Sequence, residues 1–487
     1  MKKFFLMISM VLMAALALNA VEYSGTIVVK MNSITRTADV TVTVIEQENG
    51  LYELDLDAPI VGLMKMYDVP AASAGDITTY SAVRDVNTNL GVMNTNLMAR
   101  TTNGMMTADV TIPSRSITMF FNTVGNYFQL PNSDMEDWNS SYQNEPNRWH
   151  GFKSASGNYA SFSPALLGQS EDIHEGANGQ FSAMITAKNA FGTIANGTMT
   201  NGRLNAGAMS ASDTRNHAEM DKSKGTNDFY MPLYAKPDKF NVWLKCTNSN
   251  ANHQANVSVK TFDGTYYQEP VDKEYTNLSG SIVGGQISNC DWTLYSFPFD
   301  YDSYAANNAE SKAIFVTFST NATPGQGSAN DILYIDDIEL VYLAAMTDLR
   351  YQGETISGWD PAVTEYSMEL SEAPVLDDFA ASIEGASAVV TKSMEQNADG
   401  SYRIAISVVS GDLQTATCYI INATVADNVL LGDVDGNGFV NVSDATLLIS
   451  YVLNGNVAIN ELNADMDGNS QINISDITLL INYLLTH

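Results

Sequence analysis

Two stretches near the C-terminus carry one twelve-residue pattern: DVDGNGFVNVSD at 433–444 and DMDGNSQINISD at 465–476. Each runs into an apolar segment, ATLLISYVL after the first and ITLLINYLL after the second. Oxygen-bearing residues recur at loop positions 1, 3, 5, 9 and 12, the spacing of a loop wrapped around calcium, a hard cation that takes about six to eight oxygens. The first loop offers Asp433, Asp435, Asn437, Asn441 and Asp444, with the Phe439 carbonyl at position 7. The second offers Asp465, Asp467, Asn469, Asn473 and Asp476, with the Gln471 carbonyl. Gly438 suits the sharp turn of the first loop, and Ser470 stands in its place in the second. No Lys or Arg follows Arg403, so the chain supplies no nearby basic side chain to neutralise these carboxylates. The bland alternative is a pair of solvated acidic turns.

The rest of the chain is acidic too. Lys and Arg number 24 against 55 Asp and Glu, a net charge of −31 over 487 residues. Such a surface repels phosphate backbones and anionic headgroups, which argues against nucleic-acid and peripheral-membrane roles. With 45% hydrophobic and 16% charged residues, the composition supports packed cores. At about 100–200 residues per domain, three or four domains are expected. Residues 1–20 read as a signal peptide: Lys2 and Lys3 precede an apolar run from Phe4 to Leu18, with Ala20 at a small-residue cleavage site. The run is shorter than the roughly 20 residues that span a bilayer, and its alternative is a buried core helix. A secreted or cell-surface protein is expected. Of three cysteines, Cys246 and Cys290 fall in one segment and can pair, and the odd number leaves at least one thiol over. No CxxC or Cys/His cluster supports zinc or redox chemistry.

Two-residue periodicity dominates the first part of the chain. Val40, Val42 and Val44 share one strand face. Tyr52, Leu54 and Leu56 repeat the pattern beyond a turn at Asn49–Gly50. Further strands are expected at 76–86 and 105–112, so 21–130 reads as an antiparallel sheet or barrel. Its opening, VEYSGTIVVKMN then NGLYELDLDAPIVGLMKMYDV, resembles the calycin-like barrels of secreted proteins. Residues 131–343 hold short strands and no long helix, the pattern of a β-sandwich or jelly roll. There WTLYSFPFDY (292–301) and TPGQGSANDILYIDDIELVY (323–342) resemble the carbohydrate-metabolism jelly-roll family, which implies a module like those that bind carbohydrate. Residues 346–424 resemble a small Ig-like sandwich, opening with LRYQGETISGWDPAVTEYSMEL and continuing with Tyr402, Ile404, Ile406 and Val408 in alternation; such modules space others apart. The fold class expected is mainly β and multidomain, closed by a small helical module at 428–487.

Asp at position 12, no long helix before either loop, and the duplication make 428–487 resemble a type I dockerin. The resemblance implies a cohesin-like scaffold partner. Positions 10 and 11, which contact cohesin in that family, read Val442–Ser443 and Ile474–Ser475 here.

Other candidates lie in the 131–343 segment. On the run 332–342, Ile332, Tyr334, Ile338, Leu340 and Tyr342 share a face with Asp336 in an unbroken strand. An ionised carboxylate on an apolar face needs a partner or a metal. Asp336 with Glu136 matches the structural calcium site of carbohydrate-binding jelly rolls. The other reading is a bulge at Asp336–Asp337 that turns both outward. Flat aromatic rings suited to stacking on sugars are Trp149, Trp243, Trp292, Tyr266 and Tyr267, each set against the alternative of a core position. The histidines His150, His174, His217, His253 and His487 sit in no catalytic frame, and Glu171, Asp172 and Glu175 are carboxylates with no distinguishing spacing. The expectation is a non-catalytic glycan-binding protein that docks through calcium-loaded repeats. The alternatives are a glycoside hydrolase with its centre in 131–343, and carriage of a small hydrophobic ligand by the N-terminal barrel.

Overall fold

A computed structural model describes residues 20–487 apart from 33, 103, 124–127, 178, 191, 225–226, 251 and 427–429. The expected signal peptide therefore lies outside the described residues, save Ala20. Contacts divide the chain into two units. The first runs through Thr364 and adds Asp377–Ser393 and Ala405–Tyr419; the second comprises Glu365–Leu376, Met394–Ile404 and Ile420–His487. No helix among the described residues is long and apolar enough to cross a membrane.

The first unit opens with a nine-stranded antiparallel sheet. In spatial order its strands are Gly62–Val69, Tyr52–Ala58, Ile34–Glu46, Ala20–Met31, Ile117–Thr123, Met105–Ile112, Gly91–Thr102, Ile77–Thr88 and Ala71–Ala74. Alternation sets the register: Val42 faces Leu56 and Val44 faces Leu54 across the hairpin, and all four are buried. Gly50 takes φ +78°, which the turn requires. The sheet curls until its far strands meet, where Arg84 Nη2 donates to the Asp68 carbonyl at 2.9 Å and Tyr52 packs edge-on to Tyr80 at 5.1 Å. Val42, Leu54, Met64, Met66, Met106 and their neighbours fill the interior and leave about 30 Å³. That is room for about one water, whereas small-molecule sites run to about 300–1,000 Å³. Ligand carriage by this barrel is thereby corrected: its own side chains occupy it.

Outside the barrel, Arg100 is 1% exposed. Its Nε donates to Thr107 Oγ1 at 3.1 Å and its guanidinium pairs with Asp109. Thr107 Oγ1 in turn donates to the Leu413 carbonyl at 2.9 Å, tying the barrel to the segment Ala405–Tyr419 of the same unit.

The next sheet runs Leu167–Ser170, Ser182–Thr186, Ile332–Val341, Lys239–Thr247, Cys290–Asp300, Leu278–Ile282, Ala255–Phe262, Ala313–Ser319 and Thr198–Thr200. Phe240, Val242 and Leu244 from one half share a core with Val257, Val259, Phe315 and Phe318 from the other. A smaller sheet, Arg203–Ala206, Asn216–Met220 and Tyr267–Glu269, stands beside it.

The strand Ile332–Val341 departs from its expected alternation. Trp243 pairs with Asp336 but Asn241 pairs with Glu339, and Asp337 takes φ +41°. This bulge moves the core face from Leu333 and Ile335 to Ile338, Leu340 and Tyr342, so Ile332 and Tyr334 do not share a face with the later three. The bulge does not turn Asp336 outward, for that residue is 2% exposed. The run from Ile404 to Val409 departs differently. Ile404, Ile406 and Val408 are buried as expected, but Ala405, Ser407 and Val409 are buried as well, so the strand is covered on both faces.

Asp331, fully buried, fastens two loops of this region. Its Oδ1 accepts from Ser249 N at 2.8 Å and Ser249 Oγ at 2.6 Å, and its Oδ2 accepts from Ser328 N at 2.7 Å. Burial alone raises such a carboxyl, but the Ser249 and Ser328 hydrogen bonds outweigh it and hold Asp331 below the usual carboxylate range. A depressed folded value means the contribution is complete above the unfolded value, about 3.9, and is lost as pH falls through the lower folded one. We predict that Asp331→Asn costs about 1–3 kcal/mol near neutral pH. Urea-unfolding midpoints of the two proteins should converge as the pH drops toward the depressed value. A gap that stays constant into strong acid contradicts the assignment.

Candidate functional site

The C-terminal unit builds its loops from helix caps. Helices span Val442–Asn454 and Ile474–Thr486. Asn441 and Asn473 are their N-caps, each accepting from the backbone N–H of Ser443 or Ser475 at 2.8 Å. Asp444 and Asp476 complete capping boxes: Oδ2 of each accepts from the cap's own N–H, at 2.8 and 2.9 Å. Their other oxygens reach back to loop starts, where Asp444 Oδ1 accepts from Asp435 N at 3.1 Å and Asp476 Oδ1 from Met466 N at 2.8 Å. Position 12 is therefore both cap and closure, and Asp444 and Asp476 are fully buried.

The first residue of each loop turns the chain. Asp433 accepts from Asn437 N at 3.0 Å and Gly438 N at 2.9 Å. Asp465 does the same with Asn469 N at 3.1 Å and Ser470 N at 2.7 Å. One carboxylate oxygen each from Asp433, Asp435 and Asp444 lies within 4.8 Å of the others, and likewise for Asp465, Asp467 and Asp476. Three converging carboxylates, with an asparagine and a backbone carbonyl beside them, are a donor set that fits a hard divalent cation. Ser470 adopts φ +62° where Gly438 adopts +86°, so the second turn keeps its shape without glycine.

The loops are linked through a short helix, Glu461–Ala464, that carries no obvious sequence signal. Its Asn463 donates from Nδ2 to the Asp433 carbonyl at 2.9 Å and accepts from Gly432 N at 2.8 Å through its own carbonyl. Val434, Leu448, Ala464 and Leu480 form the core beneath. Val442 and Ile474, the expected partner contacts, are 72% and 71% exposed, with Ser443 and Ser475 exposed beside them.

The sugar-stacking candidates separate on burial. Trp149 and Tyr267 are each 1% exposed and present no open ring; both are corrected to core positions. Trp243 and Trp292 are half-buried. His174 stacks on Trp243 at 4.1 Å and 6°, covering one ring face, and Trp292 Nε1 donates to Asp172 Oδ1 at 2.9 Å. Half-buried Tyr266 donates its hydroxyl to Gln268 Oε1. Asp172 also pairs with Lys245 at 2.7 Å, while Glu171 and Glu175 are exposed, so these three make no paired carboxylate centre.

Asp336 is buried, and Glu136 acts on it electrostatically. Burial, then the neighbouring Asp337, pushes the Asp336 carboxyl up to about 7, and Glu136 adds to the rise. Glu136 Oε1 accepts from Gln180 N at 2.8 Å and Phe181 N at 2.7 Å. Asp337, on the bulge, meets His174 Nε2 at 2.7 Å.

Sequence reading missed a groove of about 1,070 Å³ between the larger sheet and the smaller one. Its floor is polar: Asn256, Ser319 and Thr198 lie in register across three strands, with Ser258 opposite Thr317 in the next row. Its walls include Phe162, 66% exposed, with Tyr159, Met209 and Val271. Glu269 lines it too, its Oε1 accepting from Ser258 Oγ at 3.0 Å and Tyr267 Oη at 2.9 Å.

Residues 431–485 match the Dockerin type I domain. The dockerin thus covers both loops and both helices. No curated protein matches the chain. Among solved structures, a candidate glycoside hydrolase from Bacteroides thetaiotaomicron is 12% identical, covering 55% of this chain and 88% of its own, with a TM-score of 0.33. The tandem CBM22 region of Xyn10C from Paenibacillus barcinonensis is 11% identical over 66% of this chain and 78% of its own, with a TM-score of 0.22. SGBP-B from a xyloglucan utilization locus of Bacteroides uniformis is 12% identical over 64% and 85%, with a TM-score of 0.18.

Gly432 holds the dockerin's entrance. It takes φ +98°, and a Cβ there meets Val440 Cγ1 at 2.7 Å and Leu480 Cδ1 at 2.8 Å. Gly432→Ala is expected to cost about 1–3 kcal/mol and to lower the melting temperature of the helical signal. An unchanged melt contradicts this role.

Proposed function

We propose that this is an exported, multimodular glycan-binding protein that attaches to a cohesin-bearing scaffold through a calcium-loaded dockerin. The proposed modules are a barrel at 21–130, a carbohydrate-binding-like sandwich at 131–343, an Ig-like segment at 346–424 and the dockerin at 428–487. The observation that carries the reading is the pair of carboxylate triads, each converging within 4.8 Å in a segment without Lys or Arg. Asp433, Asp435, Asn437, Phe439, Asn441 and Asp444 would hold one ion, and Asp465, Asp467, Asn469, Gln471, Asn473 and Asp476 the other. Calcium supplies the positive charge the chain lacks there, and its binding energy becomes folding energy for the helices. Val442, Ser443, Ile474 and Ser475, exposed at equivalent helix starts, would then face the partner. Asp336 with Glu136 is proposed as a separate structural calcium site, supported by the burial of the Asp336 carboxylate and by the electrostatic influence of Glu136 on it.

Glycan binding is supported by the sandwich's sequence resemblance and by the amphipathic groove. Hydrolysis by paired carboxylates is the competing reading. Glu269 is the one carboxylate among the groove's described lining residues, and a two-carboxylate mechanism needs a second. That favours binding.

Chelation tests the attachment reading. Excess EDTA should reduce far-UV helical signal, and added calcium should restore it while calorimetry records an ion for each loop. Asp435→Ala together with Asp467→Ala should remove the response and abolish retention on immobilised cohesin. Helicity indifferent to chelator, with no heat of calcium binding, overturns it.

A further inference from the structure

We propose that the groove between the two sheets is the glycan site and that it selects uncharged polysaccharide chains over uronic-acid or sulfated ones. This rests on the glycan-binding reading above and adds both place and chemical class.

The groove is amphipathic in a particular order. Its floor is a grid of short polar side chains projecting from neighbouring strands, Thr198–Ser319–Asn256 in one row and Thr317–Ser258 in the next. Asn256, on the floor, makes no side-chain hydrogen bond among the described residues and is free to meet a ligand. The walls bring aromatic and aliphatic surface, led by Phe162 and Met209, which are 66% and 64% exposed. A purely apolar ligand would desolvate the floor without replacing its hydrogen bonds. A sugar chain matches both surfaces, with hydroxyls for the floor and C–H faces for the walls. A volume of about 1,070 Å³ is at the upper end of small-molecule clefts and has room for several linked rings.

Charge fixes the class. No Lys or Arg lines the groove among the described residues. Lys260, which pairs with the groove's Glu269, has its Nζ 3.9 Å from Glu269 Oε1 and donates a hydrogen bond to Ser281 Oγ at 2.7 Å as well. Glu269 itself faces the ligand space, on a chain with a net charge of −31. An anionic polymer entering here meets repulsion with no Lys or Arg to compensate it, and the one histidine of the described lining, His217, already has its Nε2 3.5 Å from Glu219 Oε2. A neutral one meets acceptors, amides and hydroxyls.

The test uses the full chain in calcium, by affinity electrophoresis and titration calorimetry. The neutral probes are β-glucan, glucomannan and arabinoxylan, and the anionic probes are polygalacturonate and alginate. At least one neutral probe should bind, both anionic probes should not, and Phe162→Ala and Asn256→Ala should each weaken binding about tenfold or more. Far-UV spectra and calcium response should match the parent protein, separating lost binding from lost fold. Binding confined to anionic probes overturns the charge assignment and leaves the glycan reading standing. Neutral binding untouched by both variants places the site elsewhere. No binding to any probe ends the glycan reading and this one with it.

Discussion

Like charges held close set the terms for the C-terminal unit. In each loop three carboxylates bring one oxygen apiece within 4.8 Å of the others. At an effective dielectric constant of about 20, two unit charges at about 5 Å repel by about 3 kcal/mol, and each triad contains three such pairs. Backbone N–H groups offset part of this, since each of these carboxylates accepts at least one. They cannot offset all of it, because the same groups hydrogen-bond to water when the loop is open. No Lys or Arg follows Arg403 to take up the remainder. The capping boxes extend the consequence beyond the loops. Asp444 and Asp476 are both loop-closing residues and N3 caps, so the helices begin correctly only if the triads are held together. A cation that quiets the repulsion therefore also sets where the exposed Val442 and Ile474 point.

This part of the molecule was legible in the sequence because its information is local. Converging carboxylates, caps and apolar helix faces all fall within a couple of dozen residues, twice over. The first sheet was legible for a similar reason: hairpin partners such as Val44 and Leu54 are near in sequence, and alternation carries the register. Legibility failed where an extra residue or a distant one decides. A single bulge at Asp336–Asp337 shifts the core face of Ile332–Val341, and no alternation count reveals which residue will be left over. Trp149 reads as a stacking ring by type, yet its burial depends on Phe318, far along the chain, packing 6.1 Å away. The groove was invisible because its floor joins Thr198, Asn256 and Ser319, brought side by side only by sheet order.

The segment expected to act as an Ig-like spacer is tied closely to what precedes it. Leu413 lies in the core cluster that also holds Ile77, Met105, Phe128 and Tyr342. Asp238 accepts from Leu343 N at 2.6 Å and Ala386 N at 2.7 Å, and Ser387 Oγ donates to the Lys236 carbonyl at 2.8 Å. Buried Arg100 stands at the same junction, with Asp109 as its ion-pair partner and Asp412 as a second negative charge acting on it. A guanidinium taken this far from water needs such partners, and truncating one leaves the other charge buried and unpaired. The first unit is thus knit across three sequence segments that were expected to be separate modules.

The two loops are near copies, but not energetic equals. Gly438 and Ser470 occupy equivalent corners at φ +86° and +62°. Glycine reaches that region without a steric penalty, whereas a residue with a Cβ pays about 1–2 kcal/mol. The second loop must recover that cost from the same set of oxygens as the first, since Asp465, Asp467 and Asp476 repeat Asp433, Asp435 and Asp444 in kind and placement. Ser470 donates its N–H to Asp465 Oδ2 at 2.7 Å, against 2.9 Å for Gly438 to Asp433, so the serine keeps the turn closed rather than opening it. The asymmetry therefore falls on affinity and leaves the shape alone. Both loops can present their helix starts in the same way, and on the proposed calcium reading the first would hold its ion at the lower concentration.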